Sequence, residues 1–227
     1  MNPRRTRLAA ALCVLAVLFL LGSVAVKEQQ PAASETIYNF DRNAVGQPVA
    51  EFQSALTGRG PVGKWVVQAD PTAPSKPNVL AQVSTDETDY RFPLAVLTDG
   101  TYRNVGIRVK FKAISGKVDQ AAGLVFRLKN PDNYYIVRAN ALEDNYRLYR
   151  LVDGSRRHFA GANFKVTPSE WHELKVEITG NRIVCYYDGV KKIEATDDTF
   201  ADAGRVGLWT KADSVTHFDD FVVKRLP

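Results

Sequence analysis

Apolar and polar residues alternate at every second position along much of this chain. In 105–112 (VGIRVKFK) and 171–178 (WHELKVEI), apolar side chains fall on one face and charged side chains on the other. A period of two predicts half-buried β-strands. Similar short runs, separated by Pro, Gly, Asn and Asp, occur at 36–41, 64–69, 79–84, 92–97, 122–128, 134–141, 146–152, 182–187, 191–195, 205–210 and 216–223.

The connections between these runs are short, and this decides the type of sheet. Parallel strands need crossovers of about a dozen residues or more, and no long segment beyond the N-terminus has a helical period. Tight hairpin turns are indicated at four places, 129–133, 153–154, 179–181 and 188–189. We therefore predict an all-β fold, a jelly-roll β-sandwich of two antiparallel sheets over residues 36–227.

The N-terminus carries a different pattern. Residues 8–26 are 19 consecutive uncharged residues preceded by three arginines, which is typical of a secretory signal peptide with cleavage after Ala25. As a leader helix this stretch would be about 28 Å long, enough to cross a bilayer core. Residues 1–26 are therefore either a signal peptide or an uncleaved membrane anchor, and 27–35 are a linker. Both alternatives predict an extracytoplasmic protein, periplasmic or secreted.

Charge and cysteine content exclude several classes of protein. The formal net charge is +5, but without residues 1–25 the chain has 27 basic and 25 acidic residues, so nucleic acid is not an expected partner. Cys13 lies in the leader, which leaves Cys185 alone and no internal disulfide. A domain of this length buries roughly 70% of its unfolded surface, so no cofactor is required for folding.

Some familiar motifs fail on their context. The segment 58–65 (GRGPVGKW) is similar to a phosphate-binding loop, but a proline interrupts it and a strand follows where a helix is needed, so a surface turn is the better interpretation. The three histidines are scattered, and no strand carries the Glu-x-Asp-x-Glu pattern of laminarinase-type hydrolases. Nucleotide binding, a transition-metal site and that hydrolytic mechanism are therefore not expected.

The candidate site lies on two polar strands. Along 205–210, Trp209 falls on one face, while Val206 and Leu208 fall on the other. Proteins hold sugars with an exposed aromatic ring surrounded by hydrogen-bonding groups, and Trp209 has such neighbours. The competing interpretation is that Trp209 belongs to the core and the arginines are solvated. The predicted sugar-binding residues are Arg138, Asn140, Arg147, Trp209 and Lys211, and the predicted acid/base candidates for cleavage are Asp144 and Asp213.

Several stretches together resemble one known family. They are 134–149, 171–176, 187–189, 204–209 and 218–221. From about Thr36 to the C-terminus, the chain resembles the bacterial three-keto-disaccharide hydrolase family. The resemblance implies a concanavalin-like or laminin-G-like jelly roll, exported from the cytoplasm, that handles carbohydrate. Hydrolysis of oxidised glucosides is attributed to some members.

The resemblance also suggests a metal site. Similar jelly rolls often hold a calcium ion where the first strand meets the last, and the matching positions here are Asp41 and either Asp219 or Asp220. Calcium takes six to eight oxygen ligands, which carboxylates and backbone carbonyls can supply. The alternative is that these aspartates accept hydrogen bonds from backbone amides.

Two functional hypotheses follow. The first is an exported carbohydrate-binding domain with a carbohydrate ligand, for which hydrolysis of 3-keto-glycosides is a further activity to test. The second is a non-catalytic structural or protein-interaction module at the cell envelope, since Trp and Arg are also favoured at protein interfaces. In either case, membrane contact is expected only through an uncleaved leader.

Overall fold

The computed structural model describes residues 35–227, and all helices and strands assigned in this range are β-strands, with no helix among them. The predictions for the leader and for linker residues 27–34 lie outside it. None of the described segments is a helix long and apolar enough to cross a membrane. The strands are β1 (Glu35–Tyr38), β2 (Phe52–Gly58), β3 (Trp65–Ala69), β4 (Asn78–Gln82), β5 (Arg91–Leu97), β6 (Val105–Ser115), β7 (Ala121–Asn130), β8 (Asn133–Asn140), β9 (Asn145–Val152), β10 (Ser155–Asn163), β11 (His172–Thr179), β12 (Arg182–Tyr187), β13 (Val190–Thr196), β14 (Arg205–Trp209) and β15 (Val215–Arg225).

The strands form two antiparallel sheets. The eight-stranded sheet has the order β13-β12-β11-β6-β15-β4-β3, with β1 also paired to β15. The seven-stranded sheet has the order β10-β9-β8-β7-β14-β5-β2. Neighbours in both sheets are often far apart in sequence, as expected for a jelly roll. The predicted all-β jelly-roll sandwich is confirmed.

The main core lies between the sheets and uses one face of each. Val109 and Phe111 of β6 meet Leu124 and Phe126 of β7 in one large cluster of buried residues. Polar residues occupy the opposite face of β6, which explains its clean alternation. β7 is different, because Val125, on its other face, is also completely buried. The seven-stranded sheet therefore has buried side chains on both faces.

Two strands were missed by the sequence analysis, and both are edges of the seven-stranded sheet. β2 and β10 lack a regular alternation, and in β10 the register against β9 shifts between His158 and Ala160. A bulge of this kind breaks the period of two that reveals a strand in the sequence. The predicted hairpin turns are confirmed, and both Asp153-Gly154 and Asp188-Gly189 have positive φ at each residue, as a two-residue turn matching the sheet twist requires.

Candidate functional site

Trp209 lies on the face predicted for it, but it is not exposed. It points away from the main core, opposite to Val206 and Leu208, yet its exposed fraction is 0%. Its ring stacks on Phe92 with centroids 5.3 Å apart. The prediction that Trp209 presents an aromatic surface to solvent is therefore wrong, because neighbouring side chains fill the outer face of the seven-stranded sheet.

These neighbours form a second hydrophobic cluster, here called the outer-face cluster. Its buried members are Phe92, Leu94, Val96, Ala121, Val125, Leu128, Tyr134, Ile136, Tyr149, Leu151 and Trp209. The β9–β10 hairpin is tied over it through Tyr90, whose hydroxyl donates to the carbonyl of Gly154 at 2.7 Å and accepts from the amide of Arg156 at 3.2 Å. The outer-face cluster thus supports polar groups that lie above it.

The most prominent of these groups is the guanidinium of Arg156. It lies over three aromatic rings, 4.6 Å from the centroid of Phe92, 4.7 Å from Tyr149 and 6.0 Å from Trp209. Cation–π contacts of this kind stabilise and orient a guanidinium. One of its nitrogens, Nη1, is buried without a hydrogen-bond partner among the described residues. The aromatic rings are therefore covered by an arginine side chain and are not an open surface on which a sugar could stack.

Arg156 was missed by the sequence analysis because its strand was missed. A signal was present: the predicted Asp153-Gly154 turn at the end of β9 implies a partner strand on its other side. The alternation that would have assigned faces to that strand is broken by the bulge, so Arg156 could not be placed next to Trp209 from the sequence.

The strand register joins Trp209 to the predicted arginines. One row across the outer face runs from Trp209 through Gly123 and Arg138 to Arg147. A side chain at Gly123 has no room, since a Cβ there would come within 2.5 Å of Ile136 Cδ1. The row therefore places Arg138 and the indole of Trp209 on either side of a glycine.

Arg138 is buried and strongly hydrogen-bonded. Its Nη1 donates to Asn145 Oδ1 at 2.7 Å, and its Nη2 donates to Glu143 Oε2 at 2.8 Å and to the hydroxyl of Tyr149 at 3.0 Å. Its Nε is buried and has no partner among residues 35–227. Burial would raise the pKa of Glu143, but hydrogen bonds from Asn145 and Arg138 outweigh it and lower this pKa. Glu143 is therefore a half-exposed, ionised acceptor next to a fixed donor.

Asn140 and Lys211 meet through a buried acid. Asn140 Nδ2 donates to Asp119 Oδ1 at 2.7 Å, and Lys211 Nζ lies 2.9 Å from Asp119 Oδ2 and 2.9 Å from Asp89 Oδ1. Burial raises the pKa of the Asp119 carboxyl. For Lys211, burial would lower the pKa, but the contacts with Asp89 and Asp119 are stronger and raise it. Arg138, Asn140 and Lys211 are thus members of one polar cluster, as the sequence analysis expected.

The two acid/base candidates lie in different turns. Asp213 is 4% exposed and accepts hydrogen bonds from the backbone amides of Lys117, Val118 and Asp119. Burial would raise the pKa of its carboxyl, but these amides lower it. Asp144 accepts from the amide of Val166 and from Lys165 Nζ, each at 3.1 Å, and these contacts lower its pKa.

Both aspartates therefore hold loops in place. Among the described residues their carboxylates share no hydrogen-bond partner, and the structure does not bring them together as a pair. Arg147 also bonds locally, since its Nη1 donates to the carbonyl of Ala162 at 2.7 Å, on the neighbouring strand.

The predicted calcium ligands lie around one loop. Asp219 Oδ2 accepts from the amide of Ser75 at 2.9 Å, and its Oδ1 accepts from the Ser75 hydroxyl at 2.9 Å and from the amide of Asp220 at 2.7 Å. Asp41 Oδ1 accepts from the amide of Asn78 at 3.3 Å. Within residues 35–227, no three His, Cys, Asp or Glu side chains come together to hold a metal ion. The aspartates hold the loop directly, and calcium binding here remains a prediction.

We expect the stability of the protein to depend on pH through Asp219. Burial, with a contribution from Asp220, raises the pKa of this carboxyl from 3.8 to about 6. A raised pKa means that the protonated form stabilises the fold, fully below pH 4, and that this contribution is lost as the pH rises through 6. This carboxyl should lower the free energy of unfolding by roughly 3 kcal/mol over this range in the parent, and the Asp219→Asn variant should lack that contribution.

Urea unfolding at a series of pH values would measure this, with Asp41→Asn as the control. An unchanged pH profile in Asp219→Asn would contradict the assignment. Repeating the urea unfolding at pH 7 with calcium tests the predicted metal site, because a bound ion would raise the free energy of unfolding of the parent but not of Asp219→Asn.

The polar cluster offers the groups that a polyol or a carbonyl compound needs. Arg138, Arg156 and Lys211 supply N–H donors fixed by their neighbours, and Glu143 and Asp89 supply exposed acceptor oxygens. Each sugar hydroxyl both donates and accepts, so it requires both kinds of partner. Fixed cations also stabilise negative charge that develops on an oxygen during a reaction.

The fold and this cluster define the class as a jelly-roll sandwich with a polar site on the outer face of one sheet. The chain belongs to the family of 3-keto-alpha-glucoside-1,2-lyase-like domains, which matches residues 64–224. The family resemblance predicted from the sequence is thereby confirmed. A search of the curated proteins finds no match.

Solved structures of the same fold are similar over most of their length. The carbohydrate-binding module CBM66 from Bacillus subtilis has 19% identity and a TM-score of 0.58, over 75% of this chain and 94% of that chain. Domain 4 of the arabinanase AbnA from Geobacillus stearothermophilus, solved with arabinotriose, has 14% identity and a TM-score of 0.54, over 86% and 93%. Lectin II from Ulex europaeus has 12% identity and a TM-score of 0.58, over 84% and 99%. At these identities the likeness establishes the fold.

Proposed function

We propose that this protein binds a carbohydrate on the outer face of its seven-stranded sheet, at the cluster formed by Arg138, Glu143, Arg156 and Lys211. The observation that carries the proposal is the set of oriented polar groups above the outer-face cluster: the guanidinium of Arg156 over three aromatic rings, and the half-exposed carboxylate of Glu143 paired with Arg138. Donors and acceptors held above an aromatic layer suit a ligand whose hydroxyls both donate and accept. The carbohydrate modules and lectin that share the fold support the same ligand class.

The family description favours a 3-keto-α-glucoside as the ligand, and a lyase reaction as a second activity. The keto group acidifies the hydrogen on C2, and its removal gives an enolate from which the C1–O bond can break. We assign proton removal to the Glu143 carboxylate and stabilisation of the enolate oxygen to the guanidinium of Arg138. The departing sugar oxygen takes a proton from water, and the hydroxide formed takes the proton from Glu143, which restores the carboxylate. The products are an unsaturated keto sugar and a free sugar.

Location outside the cytoplasm is also a proposal, supported by the arginines and the 19 uncharged residues at the N-terminus. Hydrolysis, in which water would add to C1, is the alternative reaction for the same substrate. The products distinguish the two reactions, since only elimination gives an unsaturated keto sugar.

We expect the Arg156→Gln variant to bind a 3-keto-α-glucoside at least tenfold more weakly than the parent, because it loses a donor fixed over three rings. Isothermal titration with the keto sugar and its unoxidised parent would measure this. Arg182→Gln is the matched control, because Arg182 is exposed and pairs with Glu194 on the other sheet. Glu143→Gln should still bind the sugar but release no free sugar.

Melting temperatures of each variant would show that the fold is kept, and Arg138→Lys provides a second variant of the site. Equal affinity in Arg156→Gln and the parent would place the sugar elsewhere. A parent that binds none of these sugars would instead favour the non-catalytic structural or protein-interaction module.

A further inference from the structure

A second groove lies on the opposite side of the β9–β10 hairpin, where the ends of the two sheets meet. It has a volume of about 400 Å³ and is lined by Arg150, Val152, Asp153, Ser155, Arg157 and Thr199. Arg150 and Arg157 lie on the core-side face of their strands, whereas Arg156 points to the outer face. The groove is therefore distinct from the cluster proposed to bind glucosides.

Two arginines lie side by side along this groove. Arg150 of β9 and Arg157 of β10 are cross-strand partners in the sheet register. Like charges at directly opposite positions destabilise a strand pair, since their Cβ atoms are only about 5 Å apart. Such a pair is stabilised when an anion lies between the two guanidinium groups.

The two carboxylates near the groove are both engaged, one of them by Arg150 itself. Asp197 forms an ion pair with Arg150 and also accepts hydrogen bonds from the hydroxyl of Tyr135 at 2.6 Å and from the amide of Thr199 at 2.9 Å. Asp153, the one acid in the lining, is held by Asn133 Nδ2 at 3.3 Å. Arg150 is thus oriented by Asp197 while it lines the groove.

Arg157 is exposed and has no carboxylate partner among residues 35–227. Guanidinium groups bind carboxylates and phosphates through two parallel N–H···O bonds, so two neighbouring arginines on one face can hold the same oxyanion together. The hydroxyls of Ser155 and Thr199 line the same space and can donate to its remaining oxygens.

We infer that the groove lined by Arg150 and Arg157 is a binding site for an oxyanion, either the carboxylate of an acidic sugar or a phosphate group. Arg150, oriented by Asp197, and Arg157 bind the anion, and Ser155 and Thr199 donate to it. A ligand with both a neutral sugar and an acidic group could then contact both faces of the β9–β10 hairpin.

Titration of the full chain at low ionic strength with inorganic phosphate, glucuronate and glucose tests this inference. We expect saturable binding of at least one of the two anions and at least a tenfold loss of anion affinity in Arg157→Gln, whereas any glucose affinity should be the same in this variant and the parent. Arg182→Gln is the control for the loss of one exposed arginine, and it should bind the anion as the parent does.

The relative affinities for glucuronate and inorganic phosphate also identify the chemical class of the anion. Preference for glucuronate would assign an acidic sugar, and binding of phosphate alone would assign a small phosphate-bearing ligand. Absence of saturable binding of both anions, or equal affinity in Arg157→Gln and the parent, would overturn the inference. Because the side chains and probes differ from those of the glucoside experiment, either proposal can fail without the other.

Discussion

Replacement of Asp70 by alanine should lower the free energy of unfolding by about 3 to 5 kcal/mol, because it leaves the buried ammonium of Lys112 without its partner. Asp70 follows β3 and is 4% exposed. Its Oδ2 contacts Lys112 Nζ and lies 2.8 Å from His217 Nδ1, and its Oδ1 accepts from the Thr72 hydroxyl at 2.7 Å. One carboxylate therefore joins β3, β6, β15 and the loop after β3.

The same contacts make the free energy of unfolding depend on pH, and the direction of this dependence follows from the pKa of Asp70. Burial would raise the pKa of Asp70, but hydrogen bonds from Lys112, Thr72 and His217 hold it far below 3.8. The ionised form thus stabilises the fold above pH 4, and this contribution is lost as the pH falls further. Acid unfolding should begin at higher pH in a variant with weaker contacts, such as Lys112→Met.

Chemical unfolding of Asp70→Ala at pH 7 would measure the loss, which corresponds to a fall of roughly 10 °C in melting temperature for a domain of this size. Asp99→Ala, at an exposed aspartate, is the control and should change stability little. A loss below about 1 kcal/mol in Asp70→Ala would mean that the ion contacts contribute little beyond their desolvation cost.

The second large loss of stability is expected on replacement of Arg127, which is 1% exposed. Its guanidinium donates to three backbone carbonyls, those of Arg103, Phe200 and Gly180. Gly180 lies in the turn between β11 and β12 of the eight-stranded sheet, so Arg127 joins the two sheets at one end. Arg127→Met keeps an apolar stem but leaves these carbonyls without donors, and each orphaned group costs about 1 to 3 kcal/mol.

We expect Arg127→Met to lose about 3 kcal/mol of unfolding free energy and to melt roughly 6 to 12 °C lower. Lys129→Met is the control on the same strand, because Lys129 lies at the surface and contacts Asp202 and the carbonyl of Ala203. If the two variants melted at the same temperature, the carbonyls freed by Arg127→Met would have to find water as a partner.

Much of the fold could be predicted because alternation records which face of a strand is buried. The strand 205–210 illustrates this: Val206 and Leu208 lie in the main core, opposite to Trp209, as the period of two requires. The exposure of Trp209 could not be predicted in the same way. Alternation says that a residue points away from the core, but it does not say what other side chains cover that face.

The candidate site was predicted in part for the same reason. Arg138, Asn140 and Lys211 lie in one polar cluster, because β8 and the segment that follows β14 lie on either side of β7 in the seven-stranded sheet. Arg156 and its three aromatic contacts were not predicted, because a bulge hides the strand that carries it. Asp144 and Asp213 were selected as acids near the expected site, whereas their oxygens are engaged by backbone amides of nearby loops.

The sequence by itself determined the all-β class, the antiparallel sheets, the hairpin turns and the family, since these depend on local periodicity, turn chemistry and motifs within short stretches. The tertiary structure decided which polar groups meet and which face is covered. Contacts such as Arg156 with Trp209, or Asp70 with His217, join residues 53 and 147 positions apart. They depend on strand order and sheet twist, which no local pattern of residues specifies.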